Sequence, residues 1–312
     1  MNFITFEQLN DSIYRNLHKI PRDIDLIVGI PRSGMLPANI IALYLNLPFS
    51  DIDSFINGSI YESGNTRKDK NWIKSTQEAK KVLVIDDSIS SGKAIKQARE
   101  KIRQANLTCE IYFCAVYALN CNFFMVDIYF DICNQPRMFE WNYMHHWGLE
   151  YACIDMDGVL CEDPKMIENI DSKNYIRFLK NAQPKFLPTK RIKYIVSGRL
   201  EKYRKETEEW LKKYNIEYEN LILLDCNNHK ERLTMDVSKF KATIYKNSNC
   251  FLFIESNLEQ AVNICKISNK QVFCTENRRL INPDNIEYYT RIILNDWTIA
   301  GKRVIKKLLN KI

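Results

Sequence analysis

The stretch VLVIDDSISSG, residues 82–92, decides the fold of the first half of the chain. Its four leading apolar residues predict a short buried strand. Two acids follow, Asp86 and Asp87, and then a small hydroxyl-rich turn, Ser88–Gly92, before a helical pattern begins at Lys93. Small residues between a strand and a helix leave backbone N–H groups uncovered, and the helix N-terminus adds partial positive charge. The turn therefore suits a phosphate, and the two acids suit the hydroxyls of a sugar.

A second segment of the same kind precedes it. Residues 26–34 read LIVGIPRSG, an apolar run that leads into Arg32, Ser33 and Gly34, and a helix-like stretch, Met35–Leu45, follows. Glycine and serine let the backbone approach an anion, and arginine offers a planar fork of donors. Each segment alone is also compatible with an ordinary turn between a strand and a helix. The pair indicates a domain that binds a phosphorylated sugar.

These segments resemble the type I phosphoribosyltransferases, which use 5-phosphoribosyl pyrophosphate (PRPP). The resemblance implies that the catalytic acids Asp86 and Asp87 lie along the ribose 2- and 3-hydroxyls. It also implies that the loop with Arg32, Ser33 and Gly34 binds pyrophosphate. The residues implied to hold the 5-phosphate form the second loop and the start of the helix after it: Ser88, Ile89, Ser90, Ser91, Gly92 and Lys93. Lys93 stands where a threonine is common in the family.

The polar segment between the two loops, Asn57–Lys80, resembles the flap that closes over PRPP in this family. A solvated loop is the alternative for each of its residues. The candidate phosphate contacts in it are Tyr61, Arg67, Lys68 and Lys70.

The second half opens on a different motif, YACIDMDGVL at residues 151–160. An apolar strand ends at Asp155, Asp157 follows two residues later, and Gly158 permits a tight turn. The motif resembles the first motif of the haloacid dehalogenase superfamily, whose commonest members are magnesium-dependent phosphatases. The resemblance implies that Asp155 attacks phosphorus, and that Asp157 protonates the leaving oxygen and later activates water. A calcium loop is the alternative, but Val-Leu after the motif is not typical of one.

Later segments extend this resemblance. Ser197 and Gly198 end a strand-like run, and the serine matches the superfamily's phosphate-binding hydroxyl. Lys241 best matches the lysine that balances the charge of the phosphorylated aspartate. Lys239 competes for that role, and a solvated helix face is the alternative for both.

Magnesium is the cofactor that this resemblance implies. Its ligands would be the Asp155 carboxylate, the Asp157 backbone carbonyl and Glu255, which follows the last expected strand. The superfamily usually has an aspartate at the position of Glu255, often with a second acid nearby, whereas this chain has Asn257. This departure leaves open whether the phosphatase site has full activity.

Both halves alternate short apolar runs with helical stretches, which predicts an α/β protein with parallel sheets. The length of 312 residues is sufficient for two separate cores. We predict a phosphoribosyltransferase-like domain at residues 1–148 and a haloacid dehalogenase-like phosphatase domain with a Rossmannoid sheet at residues 149–312.

Composition restricts the partners. The net charge of +7 suits anionic substrates, and no stripe of Lys and Arg with interleaved aromatics predicts nucleic-acid binding. Ten cysteines lie mostly in apolar runs without a Cys-x-x-Cys pair, which is typical of thiols in a reducing cytosol. We find no secretory signal and no apolar window long enough to span a membrane. A cytoplasmic protein is therefore expected, and the transferase resemblance makes a homodimer one expected arrangement.

The C-terminal stretch, Trp297–Ile312, is basic and partly apolar. We predict a solvated terminal helix packed through Val304, Leu308 and Leu309. Peripheral contact with an anionic membrane surface is the alternative.

Residues 117–147 take the place of the hood that recognises the acceptor in phosphoribosyltransferases. Aromatic rings with polar neighbours suit a nucleobase and a sugar equally, so the hood does not decide between them. His145 and His146 are each a candidate base for an acceptor hydroxyl, and a structural role is the alternative for both. The candidates are Asn134, Pro136, Arg137, Phe139, Glu140, Trp141, Asn142, His145 and His146.

The presence of both motif sets in one chain indicates two consecutive reactions. Transfer from PRPP leaves a 5-phosphate on the product, and a phosphatase would remove it to leave a β-ribofuranosyl group. Such pairs of enzymes are known in the synthesis of ribofuranose-containing bacterial glycans. We therefore expect PRPP-dependent transfer to a sugar or glycan acceptor, followed by dephosphorylation, in polysaccharide biosynthesis. The alternatives are a nucleobase phosphoribosyltransferase with an attached nucleotidase-type phosphatase, and a PRPP-binding regulator that has lost turnover.

Overall fold

The computed structural model of the protein describes residues 1–61, 72–165, 172–226 and 229–295. The chain forms two compact units. The first comprises Asn2–Arg137, and the second comprises Met1 and the chain from Met138 onward. Each unit contains a mainly parallel β-sheet accompanied by helices, which confirms the predicted α/β class.

The first unit begins with a short strand, β1 (Asn2–Ile4), and contains a five-stranded sheet in the order β3-β2-β4-β5-β6. All neighbouring strands of this sheet run parallel. Its strands are β2 (Leu26–Gly29), β3 (Phe49–Asp51), β4 (Lys81–Ser88), β5 (Glu110–Ala118) and β6 (Ile128–Ile132).

The first helix, α1 (Phe6–Asn16), begins where the sequence supplies a cap. A capping box joins Thr5 and Gln8 at its start, since each side chain accepts a hydrogen bond from the backbone N–H of the other. The helices predicted to begin at Met35 and Lys93 are both present. The helices are α1 (Phe6–Asn16), α2 (Met35–Leu45), α3 (Ile52–Ile56) and α4 (Lys93–Gln104).

Strand β4 lies in the middle of the sheet, and its apolar run Val82–Ile85 is fully buried, as a central parallel strand requires. Asp86 and Asp87 were predicted at the end of this strand. They lie within its last three residues, because pairing with β5 continues beyond the apolar run to Ser88 opposite Tyr117.

Strand β7 (Arg137–Phe139) begins at the last residue of the first unit, and two short 3-10 turns follow it. Within the second unit, the ring of Tyr143 packs edge-on against Phe273 at a centroid distance of 5.4 Å. The predicted hood is therefore divided, because its residues from Met138 onward belong to the second unit. The compact units divide between Arg137 and Met138, before the predicted domain boundary at residues 148 and 149. That boundary between the two functional domains stays a prediction.

The second unit contains a six-stranded sheet in the order β10-β9-β8-β11-β12-β13. Its strands run parallel except for the last pair, β12 with β13, which is antiparallel. The strands are β8 (Ala152–Ile154), β9 (Ile192–Leu200), β10 (Tyr218–Leu224), β11 (Leu252–Glu255), β12 (Val272–Cys274) and β13 (Arg279–Ile281).

Helices of the second unit alternate with these strands, which is the connection that parallel strands need. They are α5 (Ser172–Asn181), α6 (Arg204–Lys213), α7 (His229–Thr234), α8 (Val237–Asn247), α9 (Leu258–Ser268) and a further helix described over residues 286–295.

Across the described ranges, no helix combines the length and apolar character needed to cross a membrane. All ten cysteines are free thiols, and most are buried. The predicted C-terminal helix at Trp297–Ile312 lies outside the described residues.

Candidate functional site

The two loops of the first unit meet at the carboxyl edge of its sheet. Asp86 and Asp87 are buried at the end of β4, and the backbone N–H of Asp87 donates to Oδ1 of Asp86 at 2.9 Å. The hydroxyl of Ser33, in the loop after β2, donates to Oδ1 of Asp87 at 3.0 Å. The parallel pairing of β2 with β4 brings these positions to the same edge.

The two acids form a strongly interacting pair. Burial, and after it the charge of Asp87, raise the pKa of Asp86 to about 8. The guanidinium of Arg137 opposes this shift without cancelling it. One proton is therefore held within the acid pair near neutral pH. A ligand that brings sugar hydroxyls or a cation to these carboxylates would stabilise their charged forms instead.

The hydroxyl-rich loop (Ser88–Gly92) exposes its two central serines and buries its one large side chain. Ser90 and Ser91 are exposed, whereas Ile89 is buried. Gly92 has a φ of +73°, and a Cβ there would collide with Sδ of Met125. Helix α4 begins immediately afterwards. Exposed loop backbone at a helix N-terminus is the arrangement that binds phosphate.

The other residues predicted for this site lie around the same edge. Ser88 ends β4 and is half-buried, and Lys93 begins α4 and is exposed. Arg32 is exposed in the loop after β2. Gly34 is buried, and a Cβ on it would lie 2.7 Å from the carbonyl oxygen of Ile85. Glycine is therefore required at residue 34 by the close approach of the loop to β4.

Side chains from beyond β5 support the hydroxyl-rich loop, and the sequence analysis did not identify this role. Nδ2 of Asn122 donates to the carbonyl oxygen of Ser90, and Nε2 of Gln135 donates to the Ser90 hydroxyl at 3.4 Å. The buried Arg137, assigned above to the hood, donates to the carbonyl oxygen of Ile89 at 2.8 Å. These partners are 32 to 48 positions from the loop, so no local pattern could have identified them.

The predicted flap is described only at its margins. The hydroxyl of Tyr61 donates to Oδ2 of Asp51 at 2.5 Å. The other candidate phosphate contacts, Arg67, Lys68 and Lys70, lie outside the described residues.

In the second unit, a cavity of about 500 Å³ opens where β8, β9 and β11 end. Several residues predicted from the sequence line it, together with polar residues that the sequence analysis did not identify. The predicted residues are Asp155, Asp157, Ser197, Gly198, Lys241 and Asn257, and the additional ones include Asp163, Tyr175, Lys185, Arg232, Gln260 and Glu276.

Lys241, on helix α8, is the buried centre of this site. Its ammonium donates to Oδ2 of Asp155 and to Oε2 of Glu255, both at 2.7 Å, and to Oε1 of Gln260 at 3.0 Å. Lys239 is exposed on the same helix. The structure therefore places Lys241, and not its competitor, beside the predicted nucleophile.

The contacts of Lys241 shift the pKa values of the groups that it joins. Burial, and after it the carboxylate of Glu255, raise the pKa of Asp155, while the ammonium of Lys241 opposes the rise. Burial lowers the pKa of Lys241, but Asp155 and Glu255 reverse that effect and raise it. Lys241 therefore stays charged at every physiological pH and supplies a fixed positive charge beside Asp155.

Asp157 is held by an arginine from the end of β9. Nη2 of Arg199 lies 2.6 Å from Oδ1 of Asp157, and Nε lies 3.1 Å from both carboxylate oxygens. The side chain of Arg199 is 0% exposed, whereas that of Asp157 is 18% exposed. Arg199 is a residue to which the sequence motifs gave no function.

Close packing fixes the loops around Asp155. Gly158 has a φ of +78°, and a Cβ there would lie 2.6 Å from Cβ of Ser256 and 2.7 Å from Oδ2 of Asp163. Ser197 is buried, and its hydroxyl accepts from the backbone N–H of Arg199 at 3.2 Å. This hydroxyl keeps its own proton available for a bond to an anion in the cavity.

The oxygens implied to bind magnesium suit it by type, since two carboxylates and a backbone carbonyl are hard donors. In this structure Asp155 and Glu255 both accept from Lys241, and the carbonyl oxygen of Asp157 accepts from the hydroxyl of Ser256. Over the described part of the chain, no three His, Cys, Asp or Glu side chains are grouped to hold a metal ion. The implied magnesium ligands differ from such a group, because they are two carboxylate side chains and one backbone carbonyl.

Comparison with known proteins finds a family match for the first part of the chain. Residues 5–152 match the family described as the phosphoribosyl transferase domain. The transcriptional regulator GfcR of Methanococcoides burtonii is 26% identical over 106 residues, which cover 33% of this chain and 49% of the relative. The chain therefore spans about half the length of this curated relative.

Solved structures of low sequence identity also match. The xanthine-guanine-hypoxanthine phosphoribosyltransferase of Helicobacter pylori is 14% identical, with a TM-score of 0.32, and the match covers 45% of this chain and 90% of that one. The purine phosphoribosyltransferase of Pyrococcus horikoshii is 20% identical, with a TM-score of 0.33 and coverage of 45% and 94%. On the family match, residues 5–152 are a phosphoribosyltransferase domain, the first part of the domain pair expected from the sequence.

Proposed function

We propose that this protein is a bifunctional enzyme that transfers 5-phosphoribosyl from PRPP to a sugar or glycan acceptor and then removes the 5-phosphate. The observation that carries the proposal is that one chain contains two separate sites, each suited to bind a phosphate group. One combines Asp86 and Asp87 with a hydroxyl-rich loop at a helix N-terminus. The other joins Asp155 to the buried ammonium of Lys241.

In the transfer step, the hydroxyl-rich loop would hold the 5-phosphate, and Asp86 and Asp87 would accept hydrogen bonds from the ribose hydroxyls. Arg32 and the backbone around Gly34 would bind the pyrophosphate. The bond from ribose C1 to pyrophosphate breaks, a bond from C1 to an acceptor oxygen forms, and the acceptor hydroxyl loses its proton to a base or to water. Direct displacement from the α-configured donor gives a β-ribofuranosyl product.

In the second step, the Asp155 carboxylate would attack phosphorus, and the bond from phosphorus to the ribose 5-oxygen would break. Asp157 would protonate that oxygen, and would then take a proton from the water that hydrolyses the aspartyl-phosphate. Ser197 and Lys241 would bind the phosphoryl oxygens. Magnesium held by Asp155, Glu255 and the Asp157 carbonyl would neutralise phosphoryl charge. Protein residues perform the proton transfers and the nucleophilic attack.

The second site supports a sugar over a nucleobase as acceptor. Removal of the 5-phosphate would discard the group that traps a nucleotide, whereas a ribofuranosyl group in a glycan carries no such phosphate. A phosphatase in the same chain therefore agrees better with a sugar or glycan acceptor.

The test is to incubate the full chain with PRPP, magnesium and single candidate acceptors, and to follow pyrophosphate and phosphate by ³¹P NMR. We expect pyrophosphate first and phosphate second, with both dependent on a sugar or glycan acceptor. Release of pyrophosphate in response to nucleobases alone would exclude the glycan acceptor. Release of pyrophosphate without phosphate would exclude the second step.

A PRPP-binding regulator is the second candidate, and the name of the Methanococcoides burtonii relative favours it. A regulator would retain the acid pair and the hydroxyl-rich loop for binding without turnover. Calorimetric titration separates the two functions. Tight binding of PRPP with magnesium, without pyrophosphate release on addition of any acceptor, would favour the regulator.

A further inference from the structure

Arg199 stands out in the second unit because its charge is fully buried and directed at one functional side chain. Its guanidinium makes three of its contacts with the two carboxylate oxygens of Asp157. Within the described ranges, its other polar contacts are with the Thr207 hydroxyl at 3.4 Å and the Cys161 sulfur at 3.3 Å. Arg199 does not line the cavity, whereas Asp157 does. The guanidinium therefore lies behind the carboxylate and has no direct access to a substrate there.

The two oxygens of Asp157 are not equivalent in this arrangement. Oδ1 accepts from Nη2 of Arg199 at 2.6 Å, from Nε at 3.1 Å and from the Cys161 thiol at 3.4 Å. Among the residues that the structure describes, Oδ2 accepts from Nε of Arg199 alone, at 3.1 Å. A carboxylate oxygen has two lone pairs, so Oδ1 is saturated and Oδ2 keeps free acceptor capacity.

We infer that Arg199 is a positioning residue that fixes the carboxylate plane of Asp157 and leaves Oδ2 as the oxygen that transfers the proton. The inference rests on the proposed phosphatase reaction. Proton transfer in the transition state requires an acid or base held within hydrogen-bond reach of the reacting oxygen. A planar guanidinium with two donors on one carboxylate fixes both its position and its orientation. A lysine offers a single charged point and cannot fix the plane.

The inference predicts a dependence on the leaving group. Ribose 5-phosphate loses an alkoxide oxygen, which needs a proton as the bond to phosphorus breaks. p-Nitrophenyl phosphate loses a phenolate that is stable without a proton. A misplaced Asp157 should therefore slow leaving-group release from the first substrate far more than from the second. A general effect on folding or on phosphate binding would slow both equally.

The experiment compares wild type, Arg199→Lys and Arg199→Gln in single-turnover leaving-group release from both substrates, using the full chain with magnesium. We expect Arg199→Lys to lower the rate with ribose 5-phosphate by roughly 10²-fold or more, and the rate with p-nitrophenyl phosphate by less than about tenfold. KM for both should change little. Arg204→Lys is the matched control, because Arg204 lies nearby on α6, is partly exposed and pairs with Glu201. It should leave both rates unchanged.

Chemical rescue gives a second readout. Free guanidinium at millimolar concentration should partly restore ribose 5-phosphate turnover by Arg199→Gln and leave Arg204→Lys unaffected. Equal losses on both substrates, or a change in KM alone, would overturn the positioning role while leaving the phosphatase intact. Failure of wild type to release phosphate from either substrate would overturn the proposed function and this inference together. If Arg199→Gln does not fold, the rates of Arg199→Lys on the two substrates test the positioning role by themselves.

Discussion

The ammonium of Lys241 lies 2.7 Å from Oδ2 of Asp155, although 86 residues separate the two in the chain. The same ammonium lies 2.7 Å from Oε2 of Glu255, and all three side chains are buried. One positive charge therefore balances two carboxylates at the carboxyl edge of the second sheet. Any anion that enters the cavity must compete with Glu255 or Gln260 for the hydrogens of Lys241.

Replacing Lys241 with methionine should strongly destabilise the protein. The change leaves two buried carboxylates without their counter-charge, and removal of one partner from a buried ion pair costs about 3–5 kcal/mol. The free energy of unfolding, measured with urea, is the observable. Lys239→Met on the exposed face of the same helix is the control, with a change within about 0.5 kcal/mol. Similar small changes for both variants would contradict the central role of Lys241.

Asp155→Asn should separate the two proposed reactions. An amide cannot form the aspartyl-phosphate, so we expect phosphate release to fall by roughly 10³-fold or more while pyrophosphate release continues. The product should retain its 5-phosphate, and mass spectrometry would detect that group. Asp284→Asn, at an exposed turn, is the control and should release both products. Continued phosphate release by Asp155→Asn would remove this residue from the reaction.

Gly34→Ala should disrupt the loop that carries Arg32. Its Cβ would lie 2.6 Å from the carbonyl oxygen of Ile30 and 2.7 Å from that of Ile85, and both of these atoms belong to rigid backbone. We expect a loss of about 1–3 kcal/mol in unfolding free energy and weaker PRPP binding. Ser33→Ala is the comparison, because it adds no atoms and removes one hydrogen bond to Asp87, at a cost of about 1 kcal/mol. An alanine at residue 34 that binds PRPP normally would show that the loop has room to move.

The raised pKa of Asp86 should make stability depend on pH. Between the ordinary carboxyl value near 4 and the folded value of about 8, the folded protein binds more protons than the unfolded chain. Protonated Asp86 therefore makes its full contribution to the free energy of unfolding below pH 4. This contribution is lost as pH rises through 8, at up to about 1.4 kcal/mol per pH unit.

Denaturant unfolding at pH 5, 6, 7 and 8 checks this dependence. The unfolding free energy of Asp86→Asn should fall less steeply with pH than that of wild type, because the amide binds no proton. The surface variant Asp11→Asn should keep the wild-type slope. Identical slopes for Asp86→Asn and wild type would show that the acid pair does not hold a proton.

The local elements were predictable because they depend on neighbours in the chain. The apolar run before Asp86, the small residues up to Gly92 and the start of α4 all follow from side-chain pattern and turn chemistry. The strand before Asp155 and the need for glycine at residue 158 follow in the same way. The two loops of the first unit were expected to bind parts of one ligand, and Ser33 of the first loop does donate to Asp87.

The partners of these elements were not predictable. Nothing in the sequence near Asn122 indicates that it supports Ser90, and nothing near Gln260 indicates that it contacts Lys241. The sequence analysis also assigned the whole hood to the first domain. Packing of Tyr143 against Phe273 shows that its later part belongs to the second unit. These contacts join positions far apart in the chain, so hydrophobic period and turn signals carry no information on them.

The sequence by itself determined the α/β class, the two motif-bearing strands and the residue types at the end of each strand, because local pattern fixes which residues stand where a strand stops. Tertiary structure alone decided that Lys241 and not Lys239 faces Asp155, and that Arg199 holds Asp157. The physical reason is packing: the strand order β9-β8-β11 sets side by side the ends of strands that are distant in the chain, and helix α8 buries Lys241 while Lys239 stays exposed. A buried charge then requires the one partner that this order brings within reach.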